Sequence, residues 1–370
     1  MKIFVAIIMV FSGFVGFAQN VEPQVQPSEK QPTVEELAAE IQTLKKKSDR
    51  WDRFVEQLPK VSGYVQTLFD WTDNQSTFTI KRVRLNLFND IGSKLDYKIQ
   101  AEFASSVKLV DVFLRYKPFD ELNFQMGEFK IPLTIFNTNF KPASYEFIDT
   151  PMAISRLVGG SDLCGVKGAS RDVGAQIYGG FIQREGFSMI NYNLAVFNGE
   201  GINVKDKNSS KDVVGRLTLM FLKGLKLSGS FYWGETGKEY RTRQRYSGGM
   251  EYINSRLLLR GEWVGGRTGM ICDEQTMEIH TMRSSSWYVS GGYYVTPKWL
   301  ASARFDTFLE DTSMKNSRQT NYTVSLMWIP LKHFRCMVNY TYEDYDRTAP
   351  FFTAKNGSHN HLGIMLTGSF

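Results

Sequence analysis

The 370-residue sequence contains few cysteines, few histidines and no long run of basic residues. Its 3 Cys, at positions 164, 272 and 336, have no C-x-x-C spacing, so neither a zinc site nor a disulfide framework is expected. The sequence leaves undecided whether Cys164 and Cys272 form a single disulfide bond. The formal net charge is +6, but no Lys/Arg run is longer than the three lysines at 45–47, so a nucleic-acid partner is not expected.

Long apolar segments are also missing after the N-terminus. Beyond the first 20 residues, no apolar run approaches the roughly 20 residues that a membrane-spanning helix needs. A mean hydropathy of −0.28 likewise excludes a polytopic helical membrane protein. What the chain has instead is 14% aromatic residues and 31 Gly against only 11 Pro, a composition typical of an all-β protein.

The N-terminus predicts export. Residues 1–18 combine a basic Lys2, an apolar stretch over 3–17 and the small-x-small site Gly16-Phe17-Ala18, which together indicate a secretory signal peptide cleaved after Ala18. Residues 19–32 are rich in Gln, Pro and Glu and are interpreted as a flexible linker.

Residues 33–58 predict a helix with a narrow apolar stripe. Thr33 and Glu36 have the spacing of a capping box, and Pro59 ends the segment. Its apolar positions follow an a/d heptad pattern: Val34, Leu37, Ile41, Leu44, Trp51, Val55 and Leu58. We interpret the segment as a periplasmic coiled coil that oligomerises the protein; a helix packed on the body of its own chain is the alternative.

From residue 60 onward the apolar period changes to two. In 94–103, for example, apolar residues alternate with charged or amide residues, and sixteen such segments lie between 61 and 370. Tight turns alternate with connections of six residues or more, among them 72–77 and 235–244, with 104–107 as the exception. This asymmetry and the aromatics near both strand ends favour an all-β transmembrane antiparallel barrel of about 16 strands over a soluble sandwich.

The barrel interpretation has consequences for location and partners. An even strand number places both ends of the barrel, and the N-terminal helix, on the periplasmic side of the outer membrane of a Gram-negative cell. The apolar face then contacts outer-membrane lipid. The C-terminal Phe370 after an alternating strand resembles the signal read by the barrel assembly machinery.

The polar face of a 16-stranded barrel lines an aqueous lumen. The predicted lumen has seven acidic residues (Asp96, Glu102, Asp111, Asp212, Glu262, Asp306 and Glu343) and nine basic ones: Arg82, Arg84, Lys94, Lys98, Arg115, Arg216, Arg260, Arg304 and Arg335. Arginines on a pore wall attract anions, but many of these charges could simply pair across strands. An anion path and a roughly neutral wall therefore both remain open.

The connection 131–170 is the longest, and it is too apolar for an external loop. Long loops with apolar content of their own are usually functional, so we expect this loop to fold into the barrel and narrow the pore. Its candidate basic constriction residues are Lys141, Arg156 and Lys167.

Four groups of segments, in order along 60–370, resemble the phosphate-selective porin O/P family. They are Phe78–Phe88 with Tyr97–Gln100; Asp111–Tyr116 with 117–118, Leu122–Phe124 and Met126–Pro132; Ser170–Gly174 with Phe197–Gly201 and Gly215–Thr218; and Trp287–Trp299. The resemblance implies a sixteen-stranded trimeric porin, often with an N-terminal coiled coil, that passes phosphate or polyphosphate along an arginine ladder. Alternation alone places Arg82, Arg84 and Arg115 in the lumen, beside acidic residues.

The function expected is passive diffusion of small hydrophilic solutes, with anions or phosphate as candidates and without a metal or cofactor. An adhesin or receptor that uses 265–284 and 345–360 is the alternative. A barrel hydrolase is not expected, since no serine has an elbow motif and there are 4 His. His359 and His361, expected opposite Asp344 and Asp346, are read as a surface cluster rather than as a metal site.

Overall fold

The computed structural model describes residues 33–160, 162–166, 168–273, 278–314, 316–347 and 357–370. The chain divides into two units, of which the first ends at Gln57 and the second is Leu58–Phe370. Among the described residues, no helix combines the length and the apolar character needed to cross a membrane. The predicted signal peptide and linker, 1–32, lie outside the described residues.

In the first unit, the described residues form one helix, α1 (Val34–Gln57), of 24 residues. Its first turn closes where the N–H of Leu37 donates to the carbonyl oxygen of Thr33 at 3.0 Å. Leu37, Ile41 and Leu44 lie on one face and are 43%, 52% and 56% exposed. A second helix packed on this exposed apolar stripe would bury it, as in a coiled coil.

The second unit is a closed antiparallel barrel of sixteen strands, each paired with its neighbours in sequence and with β16 paired to β1. The predicted fold class is thereby confirmed. The strands are β1 (Lys60–Thr72), β2 (Gln75–Ile91), β3 (Leu95–Glu102), β4 (Lys108–Tyr116), β5 (Asn123–Lys130), β6 (Arg171–Arg184), β7 (Phe187–Phe197), β8 (Asp212–Leu222), β9 (Leu225–Thr236), β10 (Arg241–Ile253), β11 (Leu257–Asp273), β12 (Glu278–Thr296), β13 (Trp299–Leu309), β14 (Ser317–Leu331), β15 (Phe334–Arg347) and β16 (Gly357–Ser369).

Alternation along each strand sorts the side chains between two environments. Outward-facing residues such as Val65, Leu217 and Trp263 are 40–48% exposed in the isolated chain, where bilayer lipid would cover them. Aromatic rings also pair along the short-turn rim, where Trp299 and Trp328 stack at 6.0 Å between centroids. The apolar period of two is therefore the pattern of a surface that faces lipid.

Several strands are longer than the sequence predicts, so three connections expected to be long are shorter. In one of them, 265–284, β11 continues to Asp273 and β12 begins at Glu278, so most of the expected loop is strand. Thr72 pairs with Gln75, which leaves a two-residue turn at 73–74 in place of a loop over 72–77. Arg241 pairs with Thr236, so the connection between β9 and β10 is only 237–240. Ladder hydrogen bonds join backbone groups, so pairing continues past the end of the apolar alternation.

The barrel closes at Phe370. Its N–H and carbonyl oxygen exchange hydrogen bonds with Gly63 of β1, both at 3.0 Å. Gly63 makes room for the ring, because a Cβ at that position would lie 2.5 Å from Cζ of Phe370. The last residue therefore extends the β1–β16 seam at the short-turn rim.

Deleting Phe370 should reduce the yield of closed barrel, since the deletion removes two seam hydrogen bonds and the ring packed on Gly63. The measurement is the fraction of protein whose gel migration changes on boiling. Phe119→Ala, which removes a 63% exposed Phe from the β4–β5 turn, is the matched control. A closed fraction equal to wild type after the deletion would contradict this role.

Candidate functional site

The segment 131–170 between β5 and β6 lies inside the barrel. It contains α2 (Ile135–Asn139), a 3-10 turn (Pro142–Ser144) and α3 (Met152–Leu157). Six of its apolar side chains are at most 4% exposed: Ile131, Leu133, Ile135, Phe136, Phe147 and Ile148. Four of them, Ile131, Leu133, Phe136 and Phe147, belong to one apolar cluster with inward-facing Val264, Tyr288 and Phe308. The segment therefore packs on the wall as a small core would.

Acidic side chains of the wall hold the first N–H groups of both short helices. Glu262 accepts hydrogen bonds from the N–H groups of Ile135 and Phe136 at 2.6 and 3.0 Å. Asp306 accepts from the N–H of Met152 at 3.1 Å. A helix start leaves N–H groups without intrahelical partners, and burial would make their loss costly. These two predicted lumen acids are therefore structural supports of the segment.

Two buried arginines of β10 clamp the end of the segment. Arg243 and Arg245, 2% and 1% exposed, form ion pairs with Asp162 at 3.0 and 2.9 Å. Nε of Arg245 also donates to the carbonyl oxygen of Leu157 at 2.8 Å. The Asp162 carboxylate balances part of the charge of the two buried guanidinium groups. We therefore expect the stability of this three-residue cluster to depend on Asp162.

Three of the predicted pore-lining arginines bind the segment instead of lining open space. Arg260 pairs with Glu146 at 2.9 Å, and Arg304 donates to the carbonyl oxygen of Asp149 at 2.7 Å. Arg335 donates to the carbonyl oxygen of Ala143 at 2.9 Å. The alternation correctly predicts that these three side chains face inward. The inserted segment, however, covers this part of the barrel wall.

A second apolar cluster fills the interior beside β13–β16 and β1. Leu300, Met327, Met337, Met365 and Leu68 face inward on five consecutive strands and meet Ile148 of the segment. A Cβ at Gly363 would lie 2.7 Å from Cδ1 of Ile148, so a larger residue at this position would displace the Ile148 side chain. Apolar side chains therefore fill this part of the lumen.

A large cavity lies beside β1–β9. A cavity of about 1480 Å³ is bounded by inward residues of β1–β9 and by residues 135–143 of the inserted segment. Ten basic and four acidic side chains line it, an excess of six positive charges. The acidic ones are Asp90, Asp96, Asp111 and Asp120, and the basic ones are Lys60, Arg84, Lys98, Arg115, Lys117, Lys130, Lys141, Arg171, Arg216 and Lys226.

Five predicted basic residues line this cavity: Arg84, Lys98, Arg115, Arg216 and Lys141. Three of them have acidic partners on the neighbouring strand. The ion pairs are Arg84–Glu102 at 2.7 Å, Lys98–Asp111 at 2.6 Å and Arg115–Asp96 at 2.7 Å.

Four other predicted residues have different surroundings. Lys94 lies in the β2–β3 turn with its ammonium 5.7 Å from the Phe119 ring centroid. Arg82 is turned inward but is not among the cavity-lining residues, and it donates to Oε1 of Gln66 at 2.9 Å. Arg156, half-buried in α3, does not line the cavity either. Lys167 lies outside the described residues.

Two basic residues at the ends of the segment were missed. Lys130, the last residue of β5, donates to the carbonyl oxygen of Phe140 at 2.5 Å and lines the cavity. Arg171, the first residue of β6, pairs with Asp111 at 2.6 Å. Both directly flank the predicted loop, and that position is the sequence signal that could have indicated them.

The histidine cluster at the β1–β16 rim has other partners than expected. His361 contacts Asp70, and Nδ1 of His359 lies 3.7 Å from Asp73, so neither expected partner, Asp344 or Asp346, is used. Hydrogen bonds from the backbone and side chain of Asn360 lower the pKa of Asp73. In the described part of the chain, no group of His, Cys, Asp and Glu has the arrangement of a metal site.

Cys164 is a free, buried thiol, and the side chain of Cys272 lies outside the described residues. The bridge between them that the sequence leaves open is therefore not formed in this structure.

Sixteen antiparallel strands, a lipid-compatible outer face and a polar cavity narrowed by an inserted loop define an outer-membrane porin channel. The family model of phosphate-selective porin O and P matches residues 63–148 and 191–367. The chain belongs to that family. A search of curated proteins gave no match.

Solved porins share the fold at low identity. The outer membrane channel DcaP of Acinetobacter baumannii is 12% identical with a TM-score of 0.61, and the alignment covers 84% of this chain and 97% of that one. The anion-selective porin from Comamonas acidovorans is 12% identical with a TM-score of 0.61, and the alignment covers 84% of this chain and 99% of that one. The OmpF of Salmonella typhi, in complex with daunomycin, is 10% identical with a TM-score of 0.62, and the alignment covers 85% of this chain and 98% of that one.

Asp162→Asn should release the end of the segment and raise the single-channel conductance. The substitution leaves two buried guanidinium groups without a carboxylate, and breaking such a pair costs about 3–5 kcal/mol. The measurements are conductance in a planar bilayer and the temperature at which the barrel loses its folded gel migration.

Asp206→Asn is the matched control, because its partner Lys211 is half exposed and such pairs contribute little. Wild-type conductance and wild-type thermal stability in Asp162→Asn would show that the clamp does not hold the segment.

Proposed function

We propose that this protein is a passive outer-membrane diffusion channel for small hydrophilic solutes and that it prefers anions. The observation that carries the preference is the excess of six positive charges among the side chains lining the cavity. Two of the ten cations, Arg84 and Lys226, pair with Glu102 and Glu251 just outside the lining, and a positive excess remains after these pairs are counted. Charge of one sign in a confined passage raises the local concentration of the opposite ion.

The ion pairs leave part of the positive charge of the cavity wall without a compensating carboxylate. Asp96 is shared by Arg115 and Lys117, at 2.7 and 2.6 Å. Asp111 is likewise shared by Lys98 and Arg171, both at 2.6 Å. One carboxylate between two cations leaves a net positive charge at each place, and that charge faces the cavity.

Three further basic side chains have no acidic partner within ion-pair distance among the described residues. Lys130 donates to a carbonyl oxygen, and Arg216 donates to the Thr134 carbonyl, the Thr138 hydroxyl and the side-chain oxygen of Asn193. Nζ of Lys141 has no hydrogen-bond or ion-pair partner among the described residues, and Lys141 is exposed at the cavity. These positions are the ones we expect an anion to visit.

Phosphate itself is a finer proposal. It is supported by the name of the family and by the guanidinium groups of Arg84, Arg115, Arg171 and Arg216 along the cavity, since guanidinium pairs well with phosphate oxygens. A low concentration of phosphate that abolishes chloride current would support it.

We also propose the organisation outside the barrel. A signal peptide over 1–18 exports the chain, 19–32 is a linker, and α1 is a periplasmic coiled coil that joins three copies. The exposed stripe of Leu37, Ile41 and Leu44 supports the coiled coil. Phe370 is proposed as the feature read by the barrel assembly machinery.

Lys141→Glu should reduce the anion preference. The change lowers the excess charge on the wall from six to four, so the zero-current potential in a KCl gradient should move toward the cation-selective direction. Lys238→Glu, in the exposed β9–β10 turn and away from the cavity lining, is the control. Equal potentials in both variants would count against this wall as the source of selectivity.

Ile41→Asp combined with Leu44→Asp should weaken the trimer, because carboxylates at a and d positions would be buried in the helical interface. The measurement is the mass of the detergent-solubilised protein as temperature rises. Gln42→Asp, off the stripe on the same helix, should leave the trimer as it is. A trimer that survives the double substitution with unchanged melting would refute the coiled-coil assignment.

A further inference from the structure

The cavity wall carries as many side-chain amides as basic groups. Ten of its lining residues are Asn or Gln. A passage for simple anions needs only donors, because an anion accepts hydrogen bonds and amide oxygens repel it. An amide presents both N–H donors and a carbonyl acceptor, so these residues match a solute that also carries both.

Three of these amides form a connected amide row (Gln125, Gln176 and Asn193) across β5, β6 and β7. Nε2 of Gln176 donates to Oε1 of Gln125 at 3.0 Å, and Nδ2 of Asn193 donates to Oε1 of Gln176 at 3.3 Å. The row ends at Arg216 of β8, which donates to Oδ1 of Asn193 at 3.1 Å. Given the spacing of neighbouring strands, the row is about 10 Å long, and the row together with Arg216 is about 15 Å long.

The amide row keeps free hydrogen-bonding capacity toward the cavity. Each amide has two N–H groups and two acceptor lone pairs, and each bond within the row uses only one of them. Nε2 of Gln125 has no partner among the described residues, although its Oε1 is engaged by Gln176. The mutual bonds therefore hold the amides in position without saturating them.

Flat aromatic faces border the amide row. Tyr178 follows Gln176 on the same face of β6 and pairs across the ladder with Asn193. Phe113, two residues before Arg115, also lines the cavity, and Arg115 pairs with Gln125. A ring beside a row of donors and acceptors suits a solute with an apolar face and a hydroxylated edge.

We propose that the amide row is a binding site for short oligosaccharides, whose hydroxyl groups both donate and accept hydrogen bonds. The row is longer than a single sugar ring, so affinity should increase from a mono- to a trisaccharide. The proposal rests on the protein being a channel, but not on its anion preference.

The test is the block of KCl current by maltotriose through the full-length protein in a planar bilayer. Wild type should show saturable block that is stronger than the block by glucose. The combined variant Gln176→Ala with Asn193→Ala should raise the half-blocking concentration about fivefold or more, since each lost hydrogen bond is worth about two- to tenfold. Gln183→Ala, an amide of the same strand that lines the cavity near its mouth, should bind maltotriose as wild type does.

Gln125→Ala gives an independent variant at the end of the row, should the double variant fail to form barrels. The KCl conductance of the wild-type protein shows whether the protein forms a channel. Absence of that conductance would refute the porin proposal, and the sugar-site proposal is judged by the block alone. With conductance intact, three results would overturn the sugar site. They are a current that only falls linearly with sugar viscosity, a block unchanged in both row variants, and a trialanine block that exceeds the maltotriose block and depends on the same amides.

Discussion

The structure depends on one constraint: a 40-residue segment placed inside a barrel must satisfy every buried polar group of its backbone. The wall provides for this with carboxylates at helix starts, Glu262 and Asp306, and with arginines at carbonyl oxygens, Arg304 and Arg335. Unpaired, each such group would cost about 1–3 kcal/mol. These partners stand on strands β11, β13 and β15, and Arg216 of β8 and Ser230 of β9 donate to further carbonyl oxygens of the segment. Apolar packing on Val264, Tyr288 and Phe308 then makes the arrangement compact.

We propose that solutes pass along the β1–β9 side of the interior. The second apolar cluster, around Met327 and Met337, occupies the interior beside β13–β16. The segment packs on β11–β13 and also on Phe197, Val214 and Tyr232 of β7–β9. The cavity is bounded by β1–β9 and by the segment. Inward-facing charges accordingly do two kinds of work. Arg260 and Arg304 bind the inserted segment, whereas Arg84 and Arg171 face the cavity.

The alternation of apolar and polar residues was sufficient to predict sixteen strands and which side chains turn inward. It could not separate Arg84, which lines the cavity, from Arg335, which binds the Ala143 carbonyl, because both occupy the same position in the period-two pattern. That distinction depends on which arc the segment covers, a long-range property of about forty residues. Lys130 and Arg171 were missed because they lie at the boundary between strand and loop, where periodicity ends. Lys94, assigned to a strand, lies in a turn for the same reason.

The claim that solutes pass along the β1–β9 side is tested most directly by cysteine accessibility during conduction. In a background with the three native cysteines replaced by serine, Ser62→Cys and Ser188→Cys stand at the cavity, while Ser290→Cys and Ser302→Cys face inward on the covered side. The measurement is the rate at which a charged thiol reagent reduces the single-channel current. We predict rapid block at Ser62 and Ser188, with little reaction at Ser290 and Ser302. Equal block from the two sides would contradict a one-sided channel.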